Sequence, residues 1–431
     1  MTGTGARPHV VIITRWREQY ALFARYIDHS RFHVTYIAAE VAVASIPPGA
    51  TDVWRVKATD DLTAARAGVR ALATRYGPPA RIIALKEDDL LVGALLREEW
   101  DCPGPRPAHL LPFRDKLLMS TMVAASGLPV DAFAPAPNAA AVCAFADRHG
   151  WPVIVKPTIG SSSEGVVRLD GPRDLGAVAF GPVSRLVQRF NPHTVYHVDG
   201  LLGHGRLLRW RAARYVNSCL DFRHGAILGS VEDDDPVLCR RIGRAATAFL
   251  GALTCGPTVF HLEMFIDPAG RCTFLEVGAR VGGGETALLW REVHGFDLAE
   301  QAFSIQSGLD VDGRADEAPD HAVAGHLLIP APAERPCRIT EATSMLGRVP
   351  GLYAEVVPRV GDIVPAADSY YEHVGGRFRF RAASTRDVER AIAVTAAMYR
   401  VRAEPVAASG CGHPSDRPTH PMSGVTGFLG H

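Results

Sequence analysis

Val259-Phe-His-Leu-Glu-Met-Phe-Ile266 and Arg271-Cys-Thr-Phe-Leu-Glu-Val-Gly278 flank the turn Asp267-Pro-Ala-Gly270. Two apolar, strand-forming runs around a short turn carrying Pro and Gly predict an antiparallel hairpin. With Ile266 facing Arg271, Glu263 lies opposite Phe274 and Glu276 lies opposite His261. The period of two then puts His261, Glu263, Phe274 and Glu276 on one face. The two glutamates become diagonal neighbours, roughly 7–8 Å apart at the backbone. Carboxylates so placed can converge on Mg²⁺, which takes a few carboxylate oxygens together with phosphate oxygens and water. A solvated strand face would have to explain two glutamates set among apolar residues. Arg280 follows, then Gly282-Gly-Gly284. Arginine suits bidentate oxyanion binding, and glycines let a backbone approach a ligand closely.

Upstream, Pro152-Val-Ile-Val-Lys156 reads as a buried strand that ends on a lysine. Such a lysine needs a partner or a path to solvent, and phosphate is one partner. The loop Ile159-Gly-Ser-Ser-Ser-Glu-Gly165 joins this strand to Val166–Leu169. Small residues let backbone N–H groups and hydroxyls cover phosphates. No Gly-Lys-Ser or Gly-Lys-Thr follows, so it is not a Walker loop. A further lysine, Lys116, opens the predicted helix 114–126, which Gly127 stops. Taken singly, a surface lysine or a solvated turn is the simpler reading of these elements.

Toward the N-terminus, strands at His9–Thr14, His33–Ile37, Val53–Val56 and Arg81–Leu85 alternate with helices at Asp61–Tyr76 and Asp88–Trp100. This alternation predicts a parallel α/β sheet. Gly3-Thr-Gly5 precedes the first strand, so it is no dinucleotide fingerprint. Further strands fall at Leu186–Arg189, Tyr196–Leu202 and Leu207–Arg211, and a helix at Pro236–Leu250. From about Gly313 short strands and turns take over, with a helix at Arg386–Arg400. The last stretch, Glu404–His431, is rich in Gly, Pro, Ser and His and reads as a disordered tail. The expected units are an N-terminal domain 1–105, two α+β subdomains at 106–185 and 186–310, a C-terminal lid subdomain 311–403, and the tail 404–431.

The chain has 431 residues, 46 Lys plus Arg and 46 Asp plus Glu, so its formal net charge is zero. That argues against a nucleic-acid partner bound through bulk charge. No apolar run approaches a membrane span, and Met1–Arg7 lacks the layout of a secretory leader. The eight scattered cysteines form no CxxC pair. A cytoplasmic location with reduced thiols is expected.

As an ordered set, Arg114-Asp-Lys-Leu-Leu-Met119, Val153-Ile-Val-Lys-Pro157, the Gly/Ser loop, Leu186-Val-Gln-Arg-Phe-Asn191, His261-Leu-Glu263 and Leu275-Glu-Val-Gly-Ala-Arg-Val-Gly-Gly-Gly284 resemble the ATP-grasp superfamily. The resemblance spans roughly residues 8–402. It implies an N-terminal Rossmann-like domain, a central grasp of two α+β subdomains and a C-terminal lid. It implies ATP and Mg²⁺ as cofactors, with Mn²⁺ able to substitute. Lys116 and Lys156 would contact the phosphates, and Ser161, Ser162 and Ser163 would lie over them. Gln188, Arg189, Phe190 and Asn191 would form the hinge that holds adenine. Glu263 and Glu276 would hold the metal, and Arg280 and Lys156 would act in catalysis. Many relatives carry Asn where this chain has Gly278, and Glu where it has Gln188 and Val195. The first departure leaves one metal ligand fewer. The second leaves the ribose contact to a guess, Asp199. A small residue in place of that Asn, with Gly325-His-Leu-Leu-Ile-Pro330 as the lid pattern, is similar to L-amino-acid ligases and related carboxylate–amine ligases. The implied reaction joins a small-molecule carboxylate to an amine through an acyl phosphate. His294 and Glu292 are candidate helpers in deprotonating the amine, although an ordinary helix face is the simpler reading. Carboxylation through carboxyphosphate, or nucleotide binding without catalysis, are the competing readings. A homodimer is compatible with the resemblance, which fixes no interface.

Overall fold

The computed structural model describes residues 7–16, 20–311, 322–366 and 374–406. The first unit is a parallel sheet of β1 (His9–Thr14), β2 (His33–Ala39), β3 (Asp52–Val56) and β4 (Pro79–Ala84), in the order β3-β2-β1-β4. Val10 to Ile13 are buried on both sides of β1, which is why that strand reads as an unbroken apolar run. The helices Leu62–Tyr76 and Leu90–Glu99 cover one face. Asp61 caps the first through the N–H groups of Thr63 and Ala64, and Gly77 closes it at φ +85°. The other face packs on Trp290 and on the helix Leu298–Gln306. Gln306 pins that helix to the edge strand: its amide oxygen accepts from the N–H of Ala84 at 2.7 Å, and its Nε2 donates back to the Ala84 carbonyl at 2.8 Å.

A four-stranded antiparallel sheet follows, β5 (Phe133–Pro135), β6 (Val153–Pro157), β7 (Val167–Leu169) and β8 (Arg185–Arg189), in the order β5-β8-β6-β7. Val153, Val155 and Val187 face the helix Ala139–His149 in a small core. By the alternation of a strand, Ile154, Lys156 and Gln188 point the other way.

The largest sheet has eight strands. They are β9 (Thr194–Gly203), β10 (Arg206–Tyr215), β11 (Leu228–Glu232), β12 (Thr258–Ile266), β13 (Cys272–Gly278), β14 (Val323–Pro330), β16 (Leu352–Val356) and β18 (Val374–Ala382), in the order β13-β12-β9-β10-β11-β14-β18-β16. Strands from both sides of residue 311 thus share one sheet. A third antiparallel sheet, β17-β15-β19, joins β15 (Cys337–Ala342), β17 (Ile363–Val364) and β19 (Val401–Pro405). Glu404 and Pro405, counted with the tail in the sequence reading, extend β19 and pair with Arg338 and Cys337. Residues 407–431 of that tail lie outside the described residues.

One face of the large sheet is apolar along its length. Val198, Leu202, Phe260, Leu262, Met264 and Phe274 pack on the helix Pro236–Gly251. Val231, Val323, Leu327, Phe378 and Phe380 pack on the helix Thr385–Met398. Each such side chain, fully buried, stabilises the fold by about 1.5–3 kcal/mol before entropy is counted. The opposite face carries Glu276, Glu263, His261, His197, Asp199, Tyr215, Ser230 and His326 at the alternate positions. The site is therefore one face of a sheet whose other face is core. Among the described residues no helix is long and apolar enough to cross a membrane, and their seven cysteines are all free.

Candidate active site

The hairpin forms as expected, but its register differs. Ile266 pairs with Cys272 and Met264 with Phe274, because Arg271 belongs to the turn, where its N–H reaches the Asp267 carboxylate. That one-residue shift would by itself throw Glu276 onto the core face. A bulge between Glu263 and Met264 cancels it: Leu275 is the extra residue, and Glu263 pairs directly with Glu276. The glutamates are thus cross-strand partners, closer than the predicted diagonal pair. Phe274, expected beside them, is instead fully buried in the core against Phe249, with ring centroids 5.2 Å apart.

Both predicted lysines converge on this pair. Lys116 Nζ stands 3.7 Å from Glu276 Oε2, and Lys156 Nζ stands 3.8 Å from the same oxygen. Lys156 is only 5% exposed. Burial pushes its pKa down, and Glu276 works against that shift. Lys116 also donates to the carbonyl of Gly160 at 3.0 Å, tying it to the Gly/Ser loop. Ser161, Ser162 and Ser163 line the cavity in front of the glutamates. Ser162 and Ser163 both sit at φ +54°, a left-handed conformation that costs a non-glycine residue energy.

The predicted hinge residues divide. Gln188 is buried on the same face of its sheet as Lys156, and its Nε2 has no hydrogen-bond partner among the described residues. Arg189 and Asn191 are tied to Asp131 at 3.1 and 2.8 Å, and the Phe190 ring lies under the guanidinium of Arg168.

Arg280 lines the cavity, with its Nε held by Glu87 and its Nη1 donating to the carbonyl of Val281. Glu87 also accepts from Arg114. Burial opposes its charge, but the two guanidinium groups win and bring its pKa down to about 2. The same carboxylate explains Gly278: a Cβ there would come within 2.6 Å of Glu87 Oε2. The space beside Gly278 is taken by the ion-pair cluster that orients Arg280.

Behind Glu263 runs a buried hydrogen-bonded chain that the sequence reading largely missed. The Ser230 hydroxyl meets His197 Nε2 at 2.6 Å, His197 Nδ1 donates to Asp199 at 2.6 Å, and His261 Nδ1 donates to Asp199 at 2.9 Å. His261 Nε2 stands 3.5 Å from Glu263, and the Tyr215 hydroxyl donates to Glu263 at 2.9 Å. Burial works against the charge on His261, but Asp199 outweighs it and raises its pKa to about 9. Burial likewise opposes ionisation of Asp199, and the two histidines pull its pKa well below the usual carboxylate range. Asp199, guessed as a ribose contact, is 2% exposed and lies under Gly282, where a Cβ would come within 2.3 Å of its carboxylate. It is a buried anchor for two histidines and is closed to a ribose. The only sequence signal was the alternation of His197 and Asp199 on β9. His294 and Glu292 are engaged elsewhere, His294 with Glu232 at 2.7 Å, and Glu292 with Arg379 and with Tyr353 at 3.0 Å.

The cavity in front of these groups has a volume of about 300 Å³. Glu263, Glu276, Arg280 and the serines form one end. Trp16, Tyr20, Leu228 and Leu328 supply apolar wall, and Arg377 and His326 lie on the same lining.

A four-stranded α+β lobe that brings lysines onto carboxylates of a larger antiparallel lobe, behind an N-terminal parallel sheet, defines the ATP-grasp fold. Within that fold the chain is similar to an L-amino acid ligase from Bacillus licheniformis, with a TM-score of 0.74 and 18% identity over 93% of this chain and 99% of that one. It also resembles biotin carboxylase from Campylobacter jejuni, with a TM-score of 0.64 and 15% identity over 92% of each chain. In sequence it is 26% identical over 269 residues to an L-arginine-specific L-amino acid ligase of Bacillus subtilis. That match covers 59% of this chain and spans 64% of the relative's length. No protein-family model matches the chain.

Proposed function

We propose that the chain is an ATP-dependent carboxylate–amine ligase that forms an amide or peptide bond through an acyl phosphate and releases ADP and phosphate. The observation that carries this reading is the direct pairing of Glu263 with Glu276, with two lysine ammonium groups within 4 Å of Glu276. Paired carboxylates beside ammonium groups suit a divalent cation and the phosphate oxygens of a nucleotide. The unpaired Nε2 of Gln188 on the lysine side supplies a donor for an adenine acceptor. The residues present therefore fit ATP and Mg²⁺, and their oxygen ligands would also accept Mn²⁺.

In the reaction, Glu263 and Glu276 would hold Mg²⁺, which would supply charge neutralisation at the phosphate oxygens. Lys116 and Lys156 fix the phosphate chain, and the serine loop covers it and keeps water out. The substrate carboxylate is already ionised at neutral pH, so its attack on the γ-phosphoryl group needs no base. Arg280, its plane set by Glu87, presents the rest of its guanidinium to the transferred phosphoryl group. The buried chain from Ser230 to Glu263 holds the Glu263 carboxylate in one orientation. The amine then displaces phosphate from the acyl carbon.

The test is a phosphate-release screen of the twenty amino acids, singly and in pairs, with ATP and Mg²⁺. ADP and an amide product from at least one pair are expected. Bicarbonate-dependent ADP release without any amino acid would move the reading to carboxylation. ATP binding with no ADP from any acid would end it.

A further inference from the structure

His326 on β14 lines the cavity and is 3% exposed. Its neighbours on the same face are satisfied: His197 and His261 share Asp199. Among the described residues nothing hydrogen-bonds to the His326 ring, and its Nδ1 is enclosed with no partner. Nε2 points at Gly284, where a Cβ would stand 3.0 Å from it. Gly284 at φ +62° leaves that nitrogen uncovered. Leaving a buried polar group unpaired costs stability, and among the described residues no group pairs with this ring. Burial pushes the ring's pKa down to about 3, and His197 adds to the shift against a smaller pull from Asp199. The ring is therefore uncharged at neutral pH and offers one nitrogen as an acceptor.

The register places a cation beside it. His326 pairs with Arg379 of β18, and Leu328 pairs with Arg377, so Arg377 is the diagonal neighbour of His326 on the cavity face. Diagonal neighbours lie roughly 7–8 Å apart at the backbone, a span that an α-amino acid bridges with its amino group toward one side chain and its carboxylate toward the other. Arg377 lines the cavity while also donating to the Tyr20 hydroxyl at 2.9 Å and standing 3.9 Å from Glu285.

We propose that His326 binds the amino group of the amine substrate, and that this substrate is an α-amino acid whose carboxylate is met by Arg377. This rests on the ligase reading above and names the second half of its site. The amine enters after its ammonium has lost one proton to solvent. Its lone pair forms the C–N bond, the C–O bond to phosphate breaks, and the departing phosphate takes the electron pair and the second proton. His326 accepts a hydrogen bond from the amine N–H and orients the lone pair. Its low basicity leaves the proton to the phosphate.

The experiment uses the full chain and the acid and amino-acid pair that turns over fastest in the screen. Acyl phosphate formation is read separately, as scrambling of ¹⁸O from the β,γ-bridge of labelled ATP with the acid alone. His326→Phe is expected to raise KM for the amine about tenfold or more, the loss of one hydrogen bond to a buried group, while isotope scrambling stays within twofold. His326→Gln, which keeps an acceptor, is expected to recover most of the amine affinity. Replacing the amine by its C-terminal amide is expected to raise KM in the wild type and to change little in Arg377→Gln. Unchanged amine KM in both His326 variants would overturn the proposal and leave the ligase reading standing. Absence of scrambling in the wild type with every acid would instead overturn the ligase reading.

Discussion

The four-stranded and eight-stranded sheets meet at Glu276, and they bring opposite things to it. The smaller sheet presents a cation, Lys156, and the serine loop; the larger presents the carboxylates and the buried chain that holds them. Their cores differ too. Nine buried residues support the small sheet, whereas eighteen support the hairpin and the strands beside it. A small core opens or shifts at lower cost than a large one. The comparison teaches a division of labour. On the proposed reading, the lobe with the larger core would fix the metal ligands Glu263 and Glu276, and the lighter lobe would carry the groups that cover phosphate. Their backbones touch where the Phe274 N–H donates to the Pro129 carbonyl at 2.8 Å.

The contrast can be broken in four places. Glu276→Gln, on the side of the larger core, should lower kcat by about 10³-fold, as loss of a preorganised charge at the reacting centre does, with the unfolding midpoint nearly unchanged. Near-normal turnover would remove the hairpin from the reaction. Phe274→Ala, one residue before the bulge but on the core face, should cost about 3–5 kcal/mol of stability, measured by urea unfolding. A loss below about 1 kcal/mol would mean that the hairpin does not rest on that core.

The third concerns the cluster that orients Arg280. The folded-state pKa of Glu87 is lowered to about 2 from 4.5, so its stabilisation is fully present above pH 4.5 and is lost as pH falls toward 2. That contribution is on the order of 3 kcal/mol by linkage. Glu87→Gln should lower stability at neutral pH and flatten its decline across that acid window; parallel curves for variant and wild type would refute the assignment. The fourth lies on the lighter side. Lys156→Met should lower kcat/KM for ATP by about 10²-fold, roughly 2.7 kcal/mol, mostly through KM if the small lobe mainly binds. A loss confined to kcat would erase the proposed division between the lobes.

Much of this arrangement was legible in the sequence because it is local. The Val-rich strand ending on Lys156, the Asp61 and Gly77 boundaries of a helix, and the glutamates of a hairpin follow from periodicity and turn chemistry over a few residues. Several elements were not legible, such as β11 and the short helix Cys219–Arg223, because they are brief and gain their stability only from neighbours. The polar chain from Ser230 to Glu263 was hidden for a related reason. Its members come from β9, β11 and β12 and meet only when those strands share one sheet.

By itself, then, the sequence determined which residues could bear charge and on which kind of element: two glutamates on a hairpin, a lysine at a strand end, an arginine before three glycines. Only the tertiary structure decided how they combine. A bulge at Leu275 kept both carboxylates on one face after the register moved by one. Glu87, arriving just after β4 of the parallel sheet, took the space beside Gly278 and fixed Arg280. The physical reason is range: alternation and capping act between residues close in the chain, whereas register across a bulge and an ion pair between Glu87 and Arg280 depend on where separate elements come to rest.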